Sequence, residues 1–343
     1  TNGTQGTGVI TNNNGTVEFN TFSDFNYART IYGIAGNVTK NGTNKMTLTG
    51  SAADQISDGL VLNVNAGVFD LNGRSEGFRG LNGNSYFSLV TNSGASVVSL
   101  VLTNPSTTHA YPGIIGGPIR VVTAFSANKN TVVQNLSGTN TFTGGILIDN
   151  GHLRVTNDFS LGAIPGSFDP ANITIRNGGV LQNFAAPLIT HPNRGLRVDG
   201  DAVFFIGYSP NDLMIINGSI SGTGRILRAD SGRLVFRAAV ERMKPGAVIV
   251  DLLAEGGGNC ELTRAGETVE HRGVRVIGPV NLPATVAYHA SDMYARNLLN
   301  FIKPAIQGGE LKIDWNDEVF AASCVTHDGQ IRHEPTRKTV EAA

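Results

Sequence analysis

The chain has 343 residues, which is enough for one large domain or two ordinary ones. Its formal net charge is −1 and only 15% of its residues are charged, which excludes the basic surface typical of nucleic-acid-binding proteins. No apolar run reaches the ~18 residues of a membrane-spanning helix. The two cysteines, Cys260 and Cys324, cannot form the disulfide framework of a small secreted domain. No signal peptide is visible, and because the chain begins with Thr1 we expect a fragment or a processed product.

The composition changes abruptly near Phe236. The first 236 residues hold 27 charged residues and the remaining 107 hold 26, so the density of charge doubles. Of the 43 glycines, 33 lie before this point, whereas both cysteines and Trp315 lie after it. This change predicts two regions of different type, residues 1–237 and residues 238–343.

Short alternating runs of apolar residues follow Asn-Gly or Asp-Gly pairs throughout the first region, for example after Asn14, Asn150 and Asn177. Gly and Asn accept positive φ and make tight corners, and the period of two sends alternate side chains to one face. The glycines at 151, 178 and 200 are 27 and 22 positions apart, close to one coil of a β-helix. A β-sandwich is the alternative, but the irregular spacing and the few aromatic residues favour a solenoid.

One stretch of this region carries a more specific pattern. Residues 140–155 read Asn-Thr-Phe-Thr-Gly-Gly-Ile-Leu-Ile-Asp-Asn-Gly-His-Leu-Arg-Val and are followed by Ser160-Leu161-Gly162, with weaker copies at 48–73 and 220–236. The pattern resembles the autotransporter-associated β-helix repeat of bacterial surface proteins. The resemblance implies a right-handed parallel β-helix in an exported passenger segment. The membrane-inserting barrel of such proteins has no counterpart in this sequence.

The first region offers a few candidates for chemistry. Paired carboxylates could act as acid and base on a β-helix face, and the candidate pairs are Asp54 with Asp58, Asp70 with Glu76, and Asp199 with Asp201. Asp199 and Asp201 could share a strand face, but they flank Gly200, and we expect them to be turn residues. We expect no metal role for the isolated histidines and no glycosylation of the Asn-x-Thr/Ser triplets; these residues are His109, His152 and His191, and Asn37, Asn41, Asn135, Asn172 and Asn217.

The second region has the alternation of an α/β fold. The run from Ala247 to Leu253 after Pro245-Gly246 predicts a central parallel strand covered on both faces, with a Gly-rich loop at its carboxyl end. A second strand is predicted over 274–277. A helix follows, with Ser291 as its N-cap and Lys303-Pro304 at its end. Strands over 311–315 and 323–326 come next, and Asp328-Gly329 predicts a C-terminal β-hairpin.

Five segments of the second region carry a more specific pattern, namely Met243-Lys-Pro-Gly-Ala-Val-Ile-Val-Asp-Leu, Gly257-Gly-Asn-Cys-Glu, Gly273-Val-Arg-Val-Ile-Gly, Asn297-Leu-Leu-Asn-Phe and Cys324-Val-Thr-His-Asp-Gly. By these segments, residues 240–337 resemble the end of the NAD(H)-binding domain of the proton-translocating NAD(P) transhydrogenase alpha subunit and, more distantly, alanine dehydrogenase. It implies a Rossmann-type α/β piece, NAD(H) as the cofactor, hydride transfer from NADH to NADP+, and a transhydrogenase beta-type subunit as partner.

The resemblance also assigns site residues. Val280, Asn281 and Leu282 match the segment that lies beside the nicotinamide ribose in this superfamily. Glu255 stands where alanine dehydrogenases keep a catalytic Asp, but transhydrogenases need no acid there, so we expect a loop carboxylate. From the residues themselves, we expect Asp251 to accept N–H bonds from its loop. We expect Cys260 to be neither a nucleophile nor a metal ligand, since no His or Cys lies near it in sequence.

A dinucleotide site needs Gly-x-Gly-x-x-Gly at the start of a helix and an acid about 20 residues later, and residues 240–343 contain neither. The chain therefore reads as a β-helix, predicted over 1–237, followed by an incomplete α/β piece without a catalytic site, and we expect no NAD to bind to it alone. A fusion or a decayed gene would explain the junction. The alternatives are a transhydrogenase fragment that works with partner chains, and a polysaccharide-acting β-helix enzyme. The first region resembles exported proteins and the second resembles a cytoplasmic domain, so the sequence does not decide the cellular compartment of the protein.

Overall fold

The computed structural model describes residues 8–341 except 53, 104–106, 125–131, 185–186, 208–211, 230–231, 237–239, 241–242 and 244. The chain forms two compact units, Thr1–Pro279 and Val280–Ala343. The predicted division at residues 237 and 238 is a division of sequence type and stays a prediction.

The first unit consists mainly of short strands, as the alternating runs predict. The strands are β1 (Ile10–Phe19), β2 (Phe25–Tyr27), β3 (Ile31–Lys40), β4 (Lys45–Leu48), β5 (Val61–Val64), β6 (Val68–Asp70), β7 (Glu76–Phe78), β8 (Gly80–Asn82), β9 (Leu89–Thr91), β10 (Val98–Leu102), β11 (His109–Tyr111), β12 (Ile114–Gly117), β13 (Ile119–Thr123), β14 (Gln134–Leu136), β15 (Thr141–Phe142), β16 (Ile146–Asp149), β17 (His152–Val155), β18 (Asp169–Arg176), β19 (Gly179–Asn183), β20 (Leu188–Ile189), β21 (Arg194–Asp199), β22 (Asp201–Phe205), β23 (Leu213–Ile216), β24 (Ile220–Gly222), β25 (Arg225–Arg228) and β26 (Arg233–Phe236).

These strands stack in parallel into five sheets, so the solenoid arrangement is confirmed. The sheet orders are β1-β3-β5-β8, β2-β4-β6-β9-β12-β15, β7-β10-β13-β16-β18-β21-β24, β11-β14-β17-β19-β22-β25 and β20-β23-β26. Paired residues lie from 19 positions apart, as for Val61 and Gly80, to 28, as for Leu153 and Leu181. The handedness of the solenoid stays a prediction.

Inward side chains on successive strands form continuous ladders in one core. Val38 pairs with Leu62, and Leu62 with Leu81, and all three side chains are fully buried. A fully buried Val or Leu stabilises the fold by about 1.5–3 kcal/mol. Each coil gains this stabilisation only because its neighbours cover it, which is the reason that the coils must stack.

Asn-Gly pairs make the corners, as the sequence predicts. Asn150 has φ 54° and precedes Gly151, where a Cβ would lie 2.6 Å from the Thr123 Oγ1 atom of the preceding coil. Asn177 and Gly178 repeat the corner one coil later, with φ 55° and 74°. Two coils lie close together at this corner, so a side chain at Gly151 would collide with Thr123 of the preceding coil.

A small three-stranded sheet follows the solenoid within the first unit. Its strands are β27 (Val248–Val250), β28 (Thr268–His271) and β29 (Val274–Ile277), in the order β27-β29-β28. β27 runs parallel to β29, and β28 is antiparallel to it. The prediction of a strand covered on both faces is wrong, because β27 is an edge strand whose Val248 and Val250 side chains are 45% and 53% exposed.

The second unit is described by itself. Its elements are α1 (Leu282–Thr285), α2 (Ala287–Ile302), β30 (Ile306–Gln307), β31 (Glu310–Leu311), α3 (Glu318–Ser323), β32 (Thr326–His327), β33 (Gln330–Ile331) and α4 (Glu334–Glu341). β32 and β33 pair antiparallel across Asp328 and Gly329, both at positive φ. Within the described part of the chain, no helix combines the length and the apolar character that crossing a membrane requires.

Two predictions for the second unit are wrong in detail. α2 begins at Ala287, so Ser291 lies inside the helix and is not its N-cap. Of the predicted strand over 311–315 only Leu311 lies in a strand, and Ser323 ends α3 rather than starting a strand. Asp317 starts α3, because its carboxylate accepts hydrogen bonds from the Val319 and Phe320 amides at 2.8 and 3.3 Å.

Candidate functional site

The loop after β27 is the first place to look for a ligand site, because ligands bind at the carboxyl ends of parallel strands. Asp251 follows β27 directly and is buried. Its Oδ2 accepts hydrogen bonds from the Asn259 amide at 2.6 Å, the Cys260 amide at 3.0 Å and the Thr263 hydroxyl at 2.7 Å. Its Oδ1 accepts one from the Leu253 amide at 3.2 Å. The prediction that Asp251 accepts N–H bonds from its loop is confirmed.

These hydrogen bonds also keep the Asp251 carboxyl ionised. Burial by itself raises the pKa of Asp251, but the hydrogen bonds from Thr263 and from the three backbone amides outweigh burial and lower it. A buried negative charge therefore lies at the centre of the loop.

The glycines of this loop allow its tight backbone turns and the close approach of the backbone to Asp251. Gly257 and Gly258 have φ 97° and 72°, and a Cβ on Gly258 would lie 2.7 Å from Asp251 Oδ2. The amides of Gly256 and Gly258 both donate to the Leu253 carbonyl at 2.9 Å, and the amide of Gly257 donates to Ala254 at 3.1 Å. All five amides from 256 to 260 therefore have acceptors within the protein, whereas a phosphate cradle presents free amides.

The remaining residues that the sequence singled out in the second region fall in both units. Glu255 is an exposed residue of the 3-10 turn Ala254–Gly256, and Cys260 is buried. Val280 and Asn281 begin the second unit, and Asn281, at φ 49°, precedes α1. That Val280, Asn281 and Leu282 bind the nicotinamide ribose stays a prediction.

Two apolar cavities accompany these segments, one in each unit. The cavity of the first unit has about 350 Å³ and lies against Phe236, Val240, Ile249 and Cys260, with Asp251 in its wall. The cavity of the second unit has about 360 Å³ and is lined almost entirely by apolar side chains, among them Phe301, Trp315 and Phe320. The described residues of these two walls include no basic side chain for a phosphate.

On the solenoid, the structure brings together three carboxyl groups in a combination that the sequence missed. Asp54, Asp58 and Glu76 line a cavity of about 170 Å³. Glu76 is 2% exposed and accepts hydrogen bonds from the Gln55 and Ile56 amides at 3.0 and 3.1 Å. Burial raises the pKa of Glu76 to about 7, although these amides lower it. Burial and the neighbouring Asp58 also raise the pKa of Asp54, which shares a hydrogen bond with Glu76.

The two other carboxylate pairs do not form. Asp70 ends β6 and lies 3.4 Å from Lys45, in a different sheet from Glu76. Asp199 and Asp201 lie in different sheets because the chain turns at Gly200, so they do not share a strand face. They flank the turn, but Asp199 ends β21 and Asp201 begins β22, so neither is itself a turn residue. Each is paired with its own arginine, Asp199 with Arg197 at 2.6 Å and Asp201 with Arg225 at 2.9 Å. The polysaccharide hypothesis thus loses two of its three candidate pairs and stays a prediction.

The histidines of the solenoid have hydrogen-bond partners within it. His109 Nδ1 lies 3.1 Å from Asn82 Oδ1, and His152 Nε2 lies 3.0 Å from Gln182 Oε1. His191 accepts a hydrogen bond from the Asn193 amide at 3.1 Å. Among the described residues, no group of three or more His, Cys, Asp or Glu side chains is arranged to hold a metal ion.

Arg194 is a buried charge that no sequence signal marked. Its side chain is fully buried and its Nε lies 2.9 Å from Asp158 Oδ1. Its other nitrogens donate to Asn172 Oδ1 and to the carbonyls of Asp158, Leu161, Gly162 and Ala163. A guanidinium with so many acceptors holds the loop before β18 in place, and its role is structural.

Comparison with known proteins shows which protein family the C-terminal part of the chain is similar to. Residues 214–334 match the family described as "Alanine dehydrogenase/PNT, C-terminal domain". The match begins at the second residue of β23, in the coil before the last one of the solenoid.

Individual relatives agree with this class. The chain is 43% identical over 102 residues to an NAD(P) transhydrogenase alpha-subunit polypeptide of Rhodospirillum rubrum, and the match covers 29% of this chain and 27% of that protein. It is 37% identical over 122 residues to NAD(P) transhydrogenase subunit alpha of Haemophilus influenzae, covering 35% and 23%. Alanine dehydrogenase of Halomonas elongata is 26% identical over 194 residues, covering 50% and 52%. The C-terminal part of the chain is thus homologous to the transhydrogenase alpha subunit, and the chain spans about a quarter of the length of the first two relatives.

Proposed function

We propose that this protein is a structural β-solenoid whose transhydrogenase-like segment binds no dinucleotide by itself. The proposal rests on the five backbone amides of residues 256–260, which all donate hydrogen bonds within the protein. Those of Asn259 and Cys260 donate to the ionised Asp251. A pyrophosphate would have to displace a buried carboxylate of its own sign, which costs several kcal/mol. The loop also leads into turns and β28, not into the helix whose N-terminus would hold a phosphate.

The solenoid is, in this proposal, of the exported surface type. The stretch that resembles the autotransporter-associated repeat supports this. Residues 140–155 contain the strands β15, β16 and β17, which follow one another along the chain and lie in three different sheets of the solenoid. In the same proposal, the chain joins this surface-type solenoid to a truncated segment of a nucleotide-binding domain.

A second candidate function is an NAD(H)-binding fragment that works with partner chains, such as a transhydrogenase beta-type subunit. The similarity to the transhydrogenase alpha subunit favours it. So does the exposure of Val248 and Val250 on one face of β27, since a helix packed on that face would cover them.

Titration of the full chain with NADH, followed by calorimetry and by nicotinamide fluorescence, separates the two candidates. We expect no saturable binding. Saturable binding that is weakened in Asn281→Ala but not in the matched variant Asn300→Ala, in the exposed helix α2, would overturn the proposal and support the second candidate.

A further inference from the structure

The last coil of a solenoid exposes strand edges, which must be covered if the coils are not to pair with other chains. In this protein β26 ends the sheet β20-β23-β26. The Phe236 amide of β26 donates to the Asn259 carbonyl at 3.2 Å, and Phe236 forms a parallel bridge with Cys260. The loop after β27 therefore lies on the edge of β26.

The spacing of this contact lies within the range of the solenoid. Phe236 and Cys260 are 24 positions apart, between the 26 that separate Leu188 from Met214 and the 20 that separate Met214 from Leu234 in the same sheet. A side-chain contact adds to the backbone contact, since Arg233 Nη2 donates to the Gly257 carbonyl at 3.3 Å. Segment 257–260 thus occupies the position that the next strand of the sheet would have.

The three-stranded sheet holds this loop in place. Val240, Cys260, Val274 and Val276 form a buried cluster apart from the solenoid core. Asp251 ties the loop to the end of β27 through the amides of Asn259 and Cys260. The Asp251 carboxylate therefore accepts hydrogen bonds from Asn259 and Cys260 and, in doing so, also positions these two residues against β26.

We infer that residues 245–279 cap the solenoid: this segment of a nucleotide-binding domain covers the edge of the last coil along β26. The inference goes beyond the proposed function and does not depend on whether NADH binds. The family match supports it, because a match that begins in β23 and continues through β29 makes the last coil and its cap one stretch of sequence. Without the cap, we expect the edge of β26 to pair with a second copy of this chain.

Hydrogen exchange measured by mass spectrometry on the full chain tests this role. In Asp251→Ala we expect the amides of β26 to exchange roughly tenfold faster or more, because four donors lose their buried acceptor and the loop is released. Exchange in β16 and β18, far from the cap along the chain, should keep its wild-type rate and shows that the solenoid is folded. Sedimentation velocity should show self-association that rises with concentration.

The matched control is Glu267→Ala, which removes an exposed carboxylate of the same segment and should leave exchange in β26 unchanged. If Asp251→Ala fails to fold, Thr263→Ala removes only one of the four hydrogen bonds and should accelerate exchange in β26 more weakly. Faster exchange in 256–260 with wild-type exchange in β26 would overturn the inference, since the loop would then be released without exposing the coil. NADH titration of the same samples tests the proposed function separately.

Discussion

Replacing Glu76 by Gln should flatten the pH dependence of solenoid stability. Glu76 is buried against the Gln55 and Ile56 amides, with Asp54 and Asp58 facing the same cavity. Burial raises its pKa from 4.5 to about 7, against the lowering effect of the two amides; the charge of Asp54 raises it further and that of Arg74 lowers it.

The magnitude follows from this pKa shift. One pKa unit corresponds to ~1.4 kcal/mol, so ionising Glu76 in the folded protein costs about 3 kcal/mol. Because the pKa is higher in the folded state than in the unfolded state, the stabilisation is complete below pH 4.5 and is lost as the pH rises to about 7. The free energy of unfolding should therefore fall by about 3 kcal/mol over this interval. The raised pKa of Asp54 acts in the same direction.

Urea unfolding followed by circular dichroism from pH 4.5 to 8 measures this slope. Glu76→Gln should remove most of it and leave the contribution of Asp54. Its stability at one pH is less informative, because a Gln amide accepts only one of the two backbone hydrogen bonds. Glu18→Gln, at an exposed position of β1, is the control and should keep the wild-type slope. If Glu76→Gln and the wild-type protein lose the same free energy over this interval, the assignment to Glu76 is wrong.

Two further predictions test the packing of the coils. Arg194→Ala should lower the free energy of unfolding by about 3–5 kcal/mol, because it leaves buried acceptors and a carboxylate without their partner; Arg197→Ala, in an exposed ion pair, should cost less than about 1 kcal/mol in the same urea experiment. Gly151→Ala should cost about 1–3 kcal/mol because its Cβ would collide with Thr123, whereas Gly166→Ala, with no atom within 4 Å of a Cβ, should leave the midpoint of thermal unfolding unchanged.

The family match changes how the junction between the two regions is understood. Sequence composition divides the chain near Phe236, but residues 214–334 match the nucleotide-binding family. Strands β23 to β26 lie within this match and yet pair as strands of the solenoid. A strand of either origin can pair in parallel through the same backbone hydrogen bonds, so the pairing does not reveal where one sequence type ends.

Local pattern was sufficient to predict several features. The alternation after Asn150 and Asn177 predicted the strands and corners that the structure contains, because side-chain period and positive φ are properties of a few neighbouring residues. The same holds for Asp251: a carboxylate that follows an apolar run and precedes a Gly-rich loop has backbone amides within reach along the chain.

The tertiary structure alone decided which distant residues meet. Glu76 meets Asp54 because their coils stack in one particular register, and that register depends on the length of every corner between them. Asp199 and Asp201 separate because the backbone turns at Gly200, although they are two positions apart. Val248 and Val250 are exposed because that face of β27 is left uncovered, and only the tertiary structure shows which face of a strand is covered. Periodicity is a short-range property of the chain, whereas burial depends on what the rest of the chain places nearby.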